Sequence, residues 1–152
     1  MNLNFTFKSF LLLFLSGLYS ITITVGSDPS DDYTTIQEGI DAASDGDIVL
    51  VGDGTYNENI IIESDITLTS VGGHQNTIID GSGGAAGTMG STVTVRPESG
   101  SAFAPNNVEI DGFTITGGNG NLMNRIDPIT NAPITIRAGG GIMALNTSPK
   151  IR

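Results

Sequence analysis

The stretch IVLVGDGTYNENIIIESDITLT, residues 48–69, decides the fold class of this chain. It holds three short apolar runs, at residues 48–51, 59–62 and 66–69, separated by segments rich in Gly, Asp and Asn. Short runs rich in β-branched residues and bounded by turn-forming residues are typical of β-strands. The stretch therefore predicts a succession of short strands joined by tight turns.

The grouping of strands in threes recurs along the chain. After this first set, a second falls at residues 77–80, 92–96 and 108–110, and a third at 113–116, 141–144 and 150–152, while 134–137 lies inside a longer connection. Asp111 and Gly112 alone separate two of the runs, which suits either a hairpin or a sharp corner between faces of a solenoid. Internal repetition with a period of about 20–50 residues favours the solenoid. We therefore predict an all-β solenoid of about three turns.

One segment departs from the strand pattern and predicts a short helix, which follows a first strand at residues 21–25. Apolar residues recur in it at helical spacing, at Ile36, Ile40 and Ala43. Thr34 or Thr35 can cap its first turn, with Gln37 or Glu38 completing a capping box. The first turn of a solenoid exposes an apolar cross-section and unpaired strand edges. We expect the helix at residues 35–43 to cover that end, with its isoleucines facing inward.

The N-terminus has the order of a secretory signal. One positive charge at Lys8 precedes an apolar run at residues 9–18, and small or polar residues follow. A run of about ten residues is shorter than the roughly 20 that span a bilayer as a helix. We predict a signal peptide at residues 1–20, with an uncleaved anchor as the alternative. The mature domain at residues 21–152 is expected to have no integral membrane segment and to be secreted or at the cell surface.

The charge distribution excludes some functions. The formal net charge is −10, and no Lys or Arg occurs between Lys8 and Arg96. Such a surface cannot neutralise phosphates, which argues against nucleic-acid binding. It suits solubility and divalent cations, although charge runs usually form a solvated surface. The absence of Cys excludes disulfides, thiol nucleophiles and Cys-ligated metals.

Four segments carry a resemblance to a known family: YTTIQEGIDAA (33–43), GTYNENI (54–60), ITL (66–68) and TIIDG (77–81). They resemble the opening of the pectin lyase-like superfamily, which includes pectinesterases and many uncharacterised right-handed β-helix repeat proteins. Two later segments, DGFTITGG (111–118) and GGGI (139–142), resemble the repeat proteins more than the pectinesterases. The resemblance implies a right-handed parallel β-helix of three sheets with a short N-terminal capping helix. It also implies an acidic polysaccharide as substrate, handled in a groove outside the coil. The catalytic motifs of pectinesterases and pectate lyases are absent from this chain, so no catalytic residue is transferred.

Carboxylates at turns are the first candidate site residues. Asp28, Asp31 and Asp32 share one loop, Asp45, Asp47 and Asp53 surround a strand, and Asp80 and Asp111 each precede a Gly. Loop carboxylates can ligate calcium, but the first group fits neither an EF-hand nor a nonapeptide repeat. Turn and cap formation accounts for all three groups, with a positive φ expected at the Gly after Asp80 and Asp111. No cofactor is identifiable, and calcium is retained only as an alternative.

The remaining candidates are His74, five cations and one modification motif. His74 is the only histidine, and no nucleophile or acid accompanies it. The cations of the mature chain are Arg96, Arg125, Arg137, Lys150 and Arg152. An arginine that ends a strand can meet a uronate carboxylate, with solvated surface as the alternative. Asn146-Thr147-Ser148 fits the N-glycosylation pattern.

Two functional hypotheses follow. The first is an exported β-helix domain that binds or processes an acidic polysaccharide. The alternative is a non-catalytic cell-surface or adhesion protein that uses the coil as a rigid stalk, which long polar loops such as residues 117–130 favour. Catalytic and metal-binding residues are not identifiable, and we expect a monomer. Because residues 150–152 form an expected strand, we also expect further turns beyond them.

Overall fold

The computed structural model describes residues 19–83, 90–99, 101, 103–126 and 133–152, so residues 1–18 of the predicted signal peptide lie outside it. The regular secondary structure of the described part is mostly β-strand, with one short helix, α1 (Ile36–Ala42), and one 3-10 turn (Gly81–Gly83). The strands are β1 (Thr22–Val25), β2 (Ile48–Val51), β3 (Gly54–Tyr56), β4 (Ile60–Ile62), β5 (Thr67–Ser70), β6 (Thr77–Asp80), β7 (Val93–Val95), β8 (Glu109–Asp111), β9 (Thr114–Thr116), β10 (Asn121–Ile126), β11 (Pro133–Ala138), β12 (Ile142–Ala144) and β13 (Lys150–Ile151).

Most of these strands form three parallel sheets. Sheet I has the order β1-β2-β5-β8-β13, sheet II the order β3-β6-β9, and sheet III the order β4-β7-β12. From β2 onward the chain visits sheets I, II and III in turn and returns to sheet I; we call one such passage a circuit. Successive circuits are in register, with Ile48 opposite Thr67 and Thr67 opposite Glu109. The prediction of an all-β protein is confirmed, and its three larger sheets are parallel.

The short break at Asp111 and Gly112 is a corner and not a hairpin. The strand before it, β8, belongs to sheet I, and the strand after it, β9, belongs to sheet II. Gly112 has a φ of +80°, in the region that favours glycine. Of the two alternatives that the sequence left open, a hairpin and a corner, the chain therefore adopts the corner.

The grouping of strands differs from the prediction in one respect. Strand β3 was not predicted, because its Gly54 and Thr55 do not form an apolar run. Gly54 has a φ of +154°, and glycine inside a strand weakens the sequence signal. With β3 included, the first circuit is β2, β3 and β4, and the run predicted at residues 66–69 begins the next circuit in sheet I.

A separate antiparallel pair interrupts the third circuit. Strands β10 and β11 pair with Asn121 opposite Ala138 and Ile126 opposite Pro133. They lie between β9 and β12 along the chain. The run at residues 134–137 is therefore inside a longer connection, as predicted. Its partner β10 was not predicted, because its apolar residues are interrupted by Asn and Arg.

The core consists of the inward residues of successive circuits. In sheet I, Ile23, Val49, Leu68 and Ile110 are aligned across neighbouring strands and are at most 5% exposed. Val49, Leu68 and Ile110 pack with buried residues of sheets II and III in one cluster. Burying each such side chain contributes about 1.5–3 kcal/mol. Successive side chains of a strand point to opposite faces of the sheet. Because the strands are also in register, these four residues lie side by side on the inner face of sheet I.

Helix α1 begins at the predicted cap. The Thr35 hydroxyl accepts a hydrogen bond from the Glu38 amide at 3.3 Å and donates one to the Glu38 carboxylate at 2.8 Å. The Glu58 carboxylate accepts hydrogen bonds from the first two amides of the helix at 2.9 and 3.1 Å, where the helix dipole favours a negative charge. Ile36 and Ile40 are 0% and 5% exposed and face the core, as predicted.

Gln37 of the helix covers the outer edge of sheet III. Its side-chain oxygen accepts a hydrogen bond from the Ile61 amide at 2.8 Å, and its nitrogen donates to the Ile61 carbonyl at 3.2 Å. Ile61 lies in β4, the edge strand of sheet III. Unpaired groups at a strand edge are a template for association with other chains. The helix therefore protects the open edge of the first circuit.

Replacing Gln37 should open this edge. We expect Gln37→Ala to lower the free energy of unfolding by about 1–2 kcal/mol, because both hydrogen bonds to Ile61 are lost, together with an exposed one from Gln37 Nε2 to Asp41 Oδ1. It should also speed aggregation, because the edge of β4 becomes available for pairing. Urea denaturation and light scattering measure the two effects. The matched control is Gln75→Ala, at an exposed turn position, which should change stability by less than about 0.5 kcal/mol. Equal aggregation of the two variants would contradict the protective role of Gln37.

Candidate functional site

The acidic loop before the helix is held together by its own carboxylates. Asp28 accepts hydrogen bonds from the Ser30 hydroxyl at 2.7 Å and amide at 2.9 Å, and Asp31 accepts one from the Asp28 amide at 2.9 Å. Asp32 accepts hydrogen bonds from the Thr24 amide and hydroxyl, both at 2.9 Å. The three predicted ligands therefore serve turn chemistry, and Asp32 ties the loop to the outer edge of sheet I.

These hydrogen bonds lower the pKa of two carboxyl groups. The Ser30 hydroxyl, followed by its amide, lowers the pKa of Asp28. The Thr24 amide, followed by its hydroxyl, lowers the pKa of Asp32. A carboxyl whose folded pKa is lowered stabilises the fold above its unfolded pKa, and the contribution disappears as the pH falls through the folded value. The loop is therefore expected to loosen only in acid.

Metal binding has limited support within the described residues. No group of three or more His, Cys, Asp or Glu side chains in that part of the chain is placed to hold a metal ion. Asp28, Asp31 and Asp32 are directed to protein donors by the hydrogen bonds above. Calcium binding by this loop stays a prediction of the sequence.

A series of polar contacts joins the segments that precede successive strands of sheet I. The Asp45 carboxylate accepts a hydrogen bond from the Asp65 amide at 2.9 Å. One circuit on, the Asp65 carboxylate accepts hydrogen bonds from the amides of residues 106 and 107 at 2.6 and 3.0 Å. One circuit further, the Thr147 hydroxyl donates to the Pro105 carbonyl. These side chains hold one circuit against the next.

Asp47 and Asp53 also have structural contacts. Asp47 is 4% exposed and accepts hydrogen bonds from the amides of Ile21 at 2.9 Å and Ser44 at 2.8 Å. It therefore joins the start of β1 to the end of the helix. Asp53 packs against Gly72 of the following circuit, where a Cβ atom would lie 1.9 Å from its carboxylate oxygen.

The two Asp-Gly pairs at strand ends differ from each other. Asp111 precedes a glycine with positive φ, as predicted. The prediction is wrong for Gly81, which begins a 3-10 turn without positive φ. Asp80 accepts a hydrogen bond from the Ser82 amide at 2.9 Å, which stabilises this turn instead. Hydrogen bonds from Ser82, first from its hydroxyl and then from its amide, lower the pKa of Asp80.

Two of the candidate cations, Arg96 and Arg152, form ion pairs in the described part of the structure. Arg96 Nε lies 3.0 Å from Glu63 Oε1, and Arg152 Nη1 lies 2.6 Å from Glu109 Oε1. Each pair joins residues of neighbouring circuits and is partly exposed, so it contributes about 0–1 kcal/mol. The side chains of Arg125 and Arg137 lie outside the described part of the structure. Lys150 lies exposed in β13.

His74 has no catalytic setting in the described residues. Its side chain is exposed in a turn of the second circuit. Its backbone carbonyl accepts a hydrogen bond from the Thr114 hydroxyl at 2.7 Å, one circuit on. The backbone of His74, and not its side chain, therefore helps to join two circuits.

Two clefts beside sheet III are predominantly acidic. One, of about 640 Å³, lies between α1 and sheet III and is lined by Asp41, Glu63 and Glu98, with Arg96 as its only cation. That arginine is already paired with Glu63. A neighbouring cleft of about 340 Å³ is lined by acids, including Asp65, without a Lys or Arg. Carboxylates on both sides would repel a uronate chain.

Two polar residues of the corner between sheets II and III were missed by sequence reasoning. The Asn59 side-chain nitrogen donates to the Ser91 carbonyl at 3.1 Å, and the Thr92 hydroxyl donates to the Thr116 carbonyl at 2.6 Å. Each stands directly before a strand of sheet III, at equivalent positions of the first and second circuits. This repeated polar position before an apolar run is the signal that could have identified them.

The strands define an all-β protein, and most of the polar side chains described above join one circuit to another. No protein-family model matches the chain. The chain is 34% identical over 130 residues, 84% of its length, to a protein of Methanothermus fervidus named cell surface glycoprotein, and it spans 19% of the length of that relative. This likeness confirms the predicted secreted or cell-surface location. Within the described residues, no helix has the length and apolar character to cross a membrane.

Proposed function

We propose that this chain is part of a non-catalytic cell-surface protein in which a right-handed parallel β-helix serves as a rigid scaffold. The observation that carries the proposal is the use of the polar side chains at the corners. Asp45, Asp65, Thr92 and Thr147 each bind backbone atoms of another circuit or of its entry. Side chains used in this way hold the coil together and are not free to act on a substrate.

The order of strands supports the β-helix. Each circuit passes once through sheets I, II and III, and each sheet adds one strand per circuit. Parallel crossover connections are right-handed in about 98% of cases, which favours a right-handed coil. The resemblance to the pectin lyase-like superfamily is in keeping with such a coil and cap.

The surface role has two supports. The predicted signal peptide directs the chain out of the cell, and the Methanothermus relative is named as a cell surface glycoprotein. We extend the surface location and the attached glycan that this name states to the present chain. Polysaccharide processing is less well supported, because the clefts beside sheet III are lined by acids and their arginine is paired.

The stacking of circuits can be tested with engineered disulfides, since the chain has no Cys of its own. Leu50 lies opposite Thr69, and Thr69 lies opposite Asp111, in three neighbouring strands of sheet I. Neighbouring strands are about 4.8 Å apart, within the range of about 4.4–6.8 Å between the Cα atoms of a disulfide. The pairs L50C/T69C and T69C/D111C should therefore form disulfides under mild oxidation. The pair L50C/D111C spans two strand spacings and should stay reduced.

Mass spectrometry after thiol alkylation distinguishes these outcomes. Closure of L50C/D111C but not of the two neighbouring pairs would contradict the β-helix. The surface role is tested separately on the full-length protein in its own cells. We expect it to be labelled by a membrane-impermeant reagent on intact cells and to show no turnover of pectate, alginate or methylated pectin. Turnover of any of these, or protection from the reagent, would overturn the proposed function.

A further inference from the structure

We infer that Asn146 is the attachment site of an N-linked glycan, an inference that rests on the proposed surface function. Asn146-Thr147-Ser148 is the one Asn-x-Ser/Thr match in residues 21–152. In this motif Asn146 is the acceptor and Ser148 supplies the required hydroxyl, while Thr147 is the unrestricted middle residue. The structure places the three residues in different surroundings.

The two recognised residues face solvent, and the middle residue anchors the turn. The motif lies in the connection between β12 and β13. Asn146 and Ser148 are exposed, whereas Thr147 is half-buried. The Thr147 hydroxyl donates to the Pro105 carbonyl of the preceding circuit. Asn146 has a φ of +57°, a left-handed conformation that asparagine tolerates better than most residues. The acceptor is thus presented to solvent at a bend of this connection.

The chemistry needs only the exposed amide and a glycosyl donor. The bond formed joins Asn146 Nδ2 to the anomeric carbon of a sugar. The bond broken joins that carbon to a phosphate oxygen of a lipid-linked oligosaccharide. The lipid phosphate is the leaving group. The amide nitrogen loses one proton to a base of the transferring enzyme. The chain itself supplies the acceptor and the hydroxyl that the enzyme recognises.

Trypsin isolates the site cleanly. Cleavage after Arg137 and Lys150 yields the peptide of residues 138–150, in which Asn146 is the sole asparagine. In full-length protein purified from the envelope of its own cells, we expect mass spectrometry to find this peptide carrying hexose or other sugar masses. Asn146→Gln and Ser148→Ala should abolish the modification. Ser148→Thr should retain it, because the hydroxyl remains.

Thr147→Ala is the matched control, because it removes the contact with Pro105 but leaves the recognised motif intact. It should keep the modification. Retention in Ser148→Ala, or an unmodified peptide in the wild-type protein at the cell surface, would overturn the inference while leaving the surface role standing. A protein that is not labelled on intact cells would instead refute the proposed function.

Discussion

The Leu68→Ala variant is expected to lose about 2–5 kcal/mol of unfolding free energy, the usual range for truncating a buried leucine. Leu68 is 0% exposed and lies in the middle of sheet I. It faces Val49 of the preceding circuit and Ile110 of the following one. Truncation leaves a cavity that both neighbours border, and paired backbones on either side restrict collapse into it. Urea denaturation followed by circular dichroism measures the loss.

The matched control is the same substitution on the opposite face of the same sheet. Leu50 lies in β2, next to Val49, and points outward with a half-buried side chain. Leu50→Ala should cost about 1 kcal/mol or less, because little cavity forms at a surface position. If the two variants lost equal stability, the assignment of inward and outward residues in sheet I would be wrong.

The Gly118→Ala variant should be destabilised by about 1–3 kcal/mol or more through overpacking. A Cβ atom at residue 118 would lie 1.8 Å from the Gly140 carbonyl oxygen and 2.7 Å from the Thr92 amide nitrogen. Both are backbone atoms, so no side-chain rotation relieves the contact. The backbones of two circuits must separate at the corner between sheets II and III.

Gly140 provides the control for this variant, because it belongs to the same contact but has room. A Cβ atom there would meet only the Gly118 carbonyl oxygen, at 3.7 Å, and its φ is not positive. Gly140→Ala should therefore be neutral or stabilise by up to about 1 kcal/mol through the unfolded chain. Thermal unfolding of the two variants side by side decides the point. A melting temperature lower for Gly140→Ala than for Gly118→Ala would contradict the close approach.

Local patterns predicted most of the secondary structure. Helix α1 was predicted from the spacing of Ile36 and Ile40 and from the cap at Thr35, all of which act within one turn of helix. Strands with consecutive β-branched residues, such as β2 and β6, were found at their observed bounds. Strand β3 was missed, because it pairs with β6 of the next circuit and its Gly54 and Thr55 form no apolar run. Strand β10 was missed, because Asn and Arg interrupt its apolar residues.

The contacts of the candidate site residues were harder to predict from the sequence. Turn roles for Asp28 and Asp111 follow from the residues beside them. The partners of Asp65 lie a whole circuit away, at residues 106 and 107, and depend on how two loops of different length stack. The same holds for Gln37, whose predicted place in a cap did not reveal its bond to β4.

The position of helix α1 before the first circuit has a consequence for secretion. In a chain that is exported N-terminus first, helix α1 and strand β1 leave the membrane before any circuit, and from β5 onward each strand of the three parallel sheets pairs with one that precedes it in the sequence. A polypeptide threaded N-terminus first can therefore complete one layer at a time on a finished template. Every layer that forms outside hinders backward sliding of the thread. We expect growth of the coil to act as a ratchet that helps draw the remaining polypeptide through the membrane.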